Sequence, residues 1–130
     1  LAATNWSKEG RLSKSLLRGI APLSGLFDIQ PHRHLPLLQC DLKLTANEAK
    51  AMSPMFLAPC FTGTSIIAVG ESEPHLFHWQ SLAYAAHLRK NGIKATYFST
   101  PNDNHFSITD RLGNSRDPLT QALIKQMGLQ

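Results

Sequence analysis

"TSIIAVGESEPHLFHWQSLAYAAHLRKNGIKATYFST", residues 64–100, holds in one run the pattern that decides the fold. It begins with an apolar, β-branched stretch at 64–70 and ends with a second strand-length apolar stretch at 93–100. Continuous apolar runs of this length suit strands covered on both faces, as in a parallel sheet. Between them Phe77, Ser81, Tyr84 and Leu88 recur at helical spacing on one face. Pro74 suits a first helical turn, and Asn91-Gly92 is a C-terminal stop. Strand, helix, strand in this order is the crossover unit that makes its two strands parallel.

Outward from this unit the pattern continues. "RGIAPLSG" at 18–25 reads as another strand, and "DPLTQALIKQMG" at 117–128 as a closing helix. Asp117 is its N-cap, Pro118 its first residue, and Leu119, Leu123 and Met127 its apolar stripe. The stretch 26–62 carries helical hints at 33–40 and 45–52, broken by Pro31, Pro36 and Pro54. It reads as a lid-like insertion of the kind that covers a site. The opening "LAATNW" reads as the tail of a helix entered midway, so the chain is expected to be a piece of a longer protein. The expected fold is α/β, with about three parallel strands and flanking helices. Residues 1–130 would form a single incomplete domain.

Composition narrows the function classes. At 130 residues and 42% hydrophobic, the chain has enough apolar material for one modest core. The charge of +4 is mildly basic, yet the densest cationic group, Lys8, Arg11, Lys14 and Arg18, has no aromatic rings interleaved. A nucleic-acid groove would show a stripe of cations with stacking rings, so no nucleic-acid partner is expected. No apolar run approaches bilayer length and no signal peptide is visible, which predicts a cytoplasmic protein without a membrane partner. Cys40 and Cys60 lack C-x-x-C spacing and are expected to be reduced, buried thiols, a single disulfide between them being the alternative.

In open parallel sheets ligands collect at the carboxyl ends of the strands. Those ends carry Ser24 to Asp28, then Gly70 to Glu73, then Thr100 to His105. An acid after one strand and a histidine after the next is the tail of the Ser…Asp/Glu…His order. There the acid orients the imidazole, and the imidazole takes a proton from a serine hydroxyl. Each residue also has a plainer reading: Glu73 before Pro74 as a helix cap, His105 as a turn histidine. Spacing alone leaves both readings open.

Four phrases together resemble a known family. "GIAPLSGLFDIQP", "SPM", "VGESEPHLFHWQS" and "NDNHFSI" look like the C-terminal half of an α/β-hydrolase of the kynurenine formamidase (arylformamidase)-like esterases. In that family V-G-x-x-[D/E]-x-x-x-F-x-x-Q-S follows the strand carrying the triad acid. Val69, Gly70, Glu73, Phe77, Gln80 and Ser81 match it, so the resemblance puts the acid on Glu73 rather than Glu71. The family's [N/D]-H-F phrase carries the triad histidine, and Asn104-His105-Phe106 matches it. Ser24 to Asp28 match S-G-x-[F/Y]-D, a strand-end feature of the family.

The resemblance implies a serine hydrolase cutting carboxylic esters or aryl formamides, with no metal or organic cofactor. It also exposes a gap. The G-x-S-x-G nucleophile elbow and the H-G-G-type oxyanion loop occur nowhere in these residues. Ser24 in "PLSGL" is the nearest imitation, one strand too late. The nucleophile is expected upstream of Leu1, and negligible hydrolysis by this chain alone. The alternative is a binding or assembly module, or the remnant of a truncated gene, forming a homo-oligomer through its open sheet edge.

Other candidates are weaker. His32-x-His34 lacks a nearby carboxylate and reads as a solvated loop rather than a metal site. His75 and His78 fall on the first turn of the crossover helix. Asp103 is a rival acid for His105, and Asp28 reads as a loop-fixing residue. Phe27, Trp79 and Phe106 are each more readily core residues, although Phe27 and Phe106 are the candidates to line an acyl or aryl pocket.

Overall fold

The structure is a computed structural model and describes residues 1–10, 12–36 and 41–129. Arg11, the end of the helical hint at 33–40, and Cys40 lie outside the described residues.

Three strands form one parallel sheet in the order β1-β2-β3: β1 (Gly19–Ile20), β2 (Thr64–Gly70) and β3 (Ala95–Thr100). β2 is the strand read from "TSIIAVG", and six of its seven residues are buried. Side chains alternate across a strand, so neighbours on β2 enter different cores. Ile67 packs with Phe27, Phe61, Tyr84, Ala85, Leu88 and Ile93. Ile66 and Ala68 pack with Ile108 and Leu119 on the other side. Burying a side chain such as Ile67 stabilises by about 1.5–3 kcal/mol. Both faces of β2 contribute in this way, which explains its lack of polar alternation.

Among the described residues the sheet is accompanied by the α-helices α1 (Trp6–Glu9), α2 (Ala46–Ala51), α3 (His75–Lys90) and α4 (Pro118–Met127). α3 is the crossover helix and buries Gln80, Ser81, Tyr84, Ala85 and Leu88. Pro74 sits at its N-cap, one residue before the predicted first turn. α4 is capped as predicted: the Asp117 side chain accepts from the Leu119 and Thr120 N–H groups, and Gly128 ends the helix at φ +74°. Its apolar stripe holds at Leu119 but fades at Met127, which is 64% exposed.

Three expectations need correction. The first strand is two residues long, extended only by an isolated parallel bridge from Leu23 to Ala68, because Pro22 interrupts the ladder. The opening residues are not the tail of a helix: Thr4 N–H donates to Leu1 O in a turn, and α1 begins only at Trp6, with the Asn5 side chain at its N-cap. Trp79 is half exposed on α3 and is no core residue. Within 26–62 the described elements are a 3-10 helix Gln30–His34, α2 with a Thr45/Glu48 capping box, and a 3-10 turn Pro54–Phe56.

Candidate functional site at the carboxyl edge of the sheet

The β2–β3 register runs from Ser65↔Ala95 to Gly70↔Thr100, so the two strands end side by side. The loops that follow are tied to each other. Glu71 N–H donates to Thr100 O at 3.0 Å and Ser72 N–H to Asp103 O at 2.8 Å. Asn102, at φ +62°, donates its N–H to Glu71 Oε2 at 3.3 Å. Gly70 is required here: a Cβ on it would lie 2.5 Å from Asp103 O, so only glycine lets the loops approach this closely.

Glu73 leaves this junction pointing into the protein. Its side chain is fully buried, and Oε2 lies 3.0 Å from His105 Nδ1. Oε1 accepts from Gly70 N–H at 2.8 Å and from the Ser24 hydroxyl. All three contacts use the carboxylate, and the N-cap of α3 has no side-chain cap hydrogen bond. With a carboxylate acceptor at Nδ1, the neutral ring is paired best as the tautomer that carries its proton there and leaves Nε2 without one. The His105 side chain is about half exposed.

The loop that carries His105 is built by its polar neighbours. Asn104 Oδ1 accepts from the Phe106 and Ser107 N–H groups at 2.9 and 3.0 Å, an Asx-type turn that starts the 3-10 helix Ser107–Gly113. Ser107 Oγ accepts from Asn104 N–H at 3.0 Å and donates to Asp103 Oδ1 at 3.1 Å. Phe77 tilts against the imidazole at 5.1 Å between centroids, and Phe106 meets it edge-on at 5.6 Å. The His105 ring is therefore braced on two sides.

Asp103, the rival acid, is engaged elsewhere. It pairs with Arg111, which also binds Asp117 Oδ2 at 2.8 Å and donates to Pro101 O at 2.8 Å. Burial pushes the Asp103 carboxyl up, but hydrogen bonds from Arg111, Thr100 and Ser107 outweigh it and hold the group below its ordinary value. The bond to Asp103 in turn raises Arg111 above its ordinary value. This clamp joins the β3 end to the N-cap of α4.

Asp28 fixes its loop, accepting from Gln30 N–H at 3.0 Å. Gln80 does more: fully buried, its Oε1 accepts from the Phe27 and Asp28 N–H groups, both at 2.7 Å, and its Nε2 donates to Asp28 O at 3.1 Å. Phe27 is a core residue stacked on Tyr84 at 4.1 Å, at the wall of an apolar cavity of about 330 Å³ shared with Ile20, Pro22 and Met52. Phe106 is 82% exposed beside His105. His32 is buried, His34 and His75 are exposed, and His78 Nδ1 meets Tyr97 Oη at 3.1 Å. Among the described residues no three His, Cys, Asp or Glu side chains are grouped to hold a metal ion. No described helix is long and apolar enough to cross a membrane. Cys60 is a free thiol.

The contacts missed in the sequence are those of Ser24 with Glu73 and of Arg111 with Asp103 and Asp117. For Ser24 the signal is its phrase, Ser24 to Asp28, which matches a strand-end feature of the resembling family. For Arg111 there is none.

The parallel three-stranded sheet with its flanking helices has part of the α/β-hydrolase fold. Solved structures agree on the fold. A candidate thioesterase from Silicibacter sp. TM1040 superposes with a TM-score of 0.68 at 19% identity, over 83% of this chain and 39% of its own. Carboxyl esterase 2 from Tuber melanosporum gives 0.55 at 16%, over 95% and 46%. In sequence, the chain is similar to kynurenine formamidase from Salmo salar, 30% identical over 98% of this chain, and from Danio rerio, 28% over 97%. The chain spans 45% and 44% of the length of these two relatives. No protein-family model matches it.

Proposed function

We propose that this chain supplies the acid and base of a serine hydrolase acting on carboxylic esters or aryl formamides, with His105 as general base and Glu73 as its orienting acid. The observation that carries the proposal is the 3.0 Å contact between the buried Glu73 carboxylate and Nδ1 of the half-exposed His105 ring. The nucleophile and the oxyanion donors come from a segment outside these residues. As the serine Oγ bonds to the substrate carbonyl carbon, its proton passes to His105 Nε2, and Glu73 stabilises the imidazolium. The same proton goes to the departing alcohol or aryl amine, leaving an acyl- or formyl-enzyme. Water activated by Nε2 then releases the acid. The sequence similarity to kynurenine formamidases supports an aryl formamide as substrate, with Phe27 and Phe106 as candidate binding residues. This chemistry uses no metal or organic cofactor, and a cytoplasmic location fits it.

The test joins the chain to the protein segment encoded upstream of Leu1 and assays p-nitrophenyl esters and N-formyl aryl amides. The chain alone is expected at background. The joined protein is expected to turn over, and Glu73→Ala and His105→Ala each to lose about 10²-fold or more. Wild-type turnover in both variants, or no G-x-S-x-G in the upstream frame, would overturn the proposal.

The open side of β1 favours a second reading, assembly of two copies edge to edge. The paired length of β1 is only two residues, so such a dimer would rest on few ladder bonds. Light scattering at micromolar concentration decides it, a monodisperse monomer counting against assembly.

A further inference from the structure

We infer that Ser24 is a positioning residue for the acid: its hydroxyl holds Glu73 Oε1 so that Oε2 is presented to His105. This rests on the acid–base reading of Glu73 and His105 given above and adds a third residue to it.

The geometry is specific. Ser24 follows the Leu23–Ala68 bridge, and its N–H donates to Ala68 O at 2.8 Å, which pins its backbone beside the end of β2. It adopts φ +50°, a left-handed conformation that costs a non-glycine residue energy, and its side chain is buried. From there Oγ–H donates to Glu73 Oε1 across 49 residues of sequence. Gly70 N–H supplies the second donor to the same oxygen. With Oε1 doubly held, Oε2 is the oxygen left for the imidazole.

Glutamate has one more rotatable bond than aspartate, so a glutamate acid needs more restraint to keep one oxygen on the ring. The Gly70 bond restrains it from its own loop. Ser24 restrains it from a different strand, so the acid is fixed relative to the sheet and not only to its own turn. A serine in a left-handed turn is strained where glycine would be relaxed, which argues that the hydroxyl is what the position requires.

The experiment separates the hydroxyl from the turn. Ser24→Ala removes the hydroxyl and keeps the strain, whereas Ser24→Gly removes both. The readout is the His105 Nδ1 proton and the ring ¹⁵N shifts by NMR on this chain at about pH 8.5, above the ordinary imidazole range. Amide spectra report folding. In the wild type a protected, downfield Nδ1–H signal is expected, and Glu73→Gln should abolish it. Ser24→Gly, folded and relaxed at φ +50°, should broaden or lose the signal, with ¹⁵N shifts moving toward a tautomer mixture. Ser24→Ala should do the same if it folds; if it does not, Ser24→Gly alone decides. A turn-forming role predicts that Ser24→Gly keeps the wild-type signal, and that result overturns the inference. If Glu73→Gln itself leaves the signal unchanged, the acid–base reading fails instead.

Discussion

Replacing Gln80 by Met is expected to destabilise the fold strongly without changing its shape. Met nearly conserves the volume of Gln, so it leaves little cavity, and its thioether adapts to irregular surroundings. What it removes is polar. The Phe27 and Asp28 N–H groups lose the single Oε1 acceptor that serves both at 2.7 Å, and Asp28 O loses the Nε2 donor at 3.1 Å. An orphaned buried donor costs about 1–3 kcal/mol. Phe27 N–H is buried and Asp28 N–H only partly, so the second contributes less. The sum is about 2–5 kcal/mol, a large share of the roughly 5–15 kcal/mol that stabilises an ordinary domain. At about 3–5 °C per kcal/mol for a chain of this size, melting should drop by about 6–25 °C. Thermal and urea unfolding by circular dichroism measures it, with half-exposed Leu82→Ala on the same helix as a control expected within about 0.5 kcal/mol. A Gln80→Met melting point within about 2 °C of wild type would refute the reasoning.

Two further outcomes follow from the loop junction. Gly70→Ala places a Cβ 2.5 Å from Asp103 O, so the β3 loop must retreat; the expected loss is about 1–3 kcal/mol by calorimetry, together with a shifted His105 ring signal. Arg111→Met strips the counter-charge from Asp103 and Asp117, which are largely but not wholly buried, and should cost about 1–3 kcal/mol at neutral pH. The Asp103 carboxyl sits below its ordinary value in the folded protein, so its contribution is present above the ordinary carboxylate range and is lost as pH falls through the lowered folded value. The difference between wild type and Arg111→Met in urea midpoints should therefore narrow from pH 7 toward about pH 3; a gap that is constant with pH would contradict the clamp.

Much of the site was legible because strand-end chemistry is local. Glu73 follows β2 by three residues and His105 follows β3 by five, so periodicity that finds the strands also finds these two. The cap at Asp117 and the buried face of α3 were legible for the same reason, since capping and helical spacing act within a turn or two. β1 is shorter than its composition suggests: "RGIAPLSG" has strand composition, but Pro22 and the partner's register limit its pairing to Gly19, Ile20 and a bridge at Leu23. Trp79 and Phe106 were drawn toward the core by their size, and both are exposed. Size measures what burial would gain, whereas position on the helix face or loop decides whether it occurs.

The amino-acid sequence by itself determined the βαβ unit, the parallel pairing it forces, and the two residues at adjacent strand ends. These depend on apolar period, caps and breakers, interactions that span a few residues. Tertiary structure alone decided which donors hold Glu73, that Asp103 serves Arg111 and not His105, and that Gly70 admits the neighbouring loop. Those outcomes depend on the β2–β3 register and on where Ser24 is pinned beside β2, and hydrogen bonds of about 3 Å discriminate among placements that sequence spacing leaves equal.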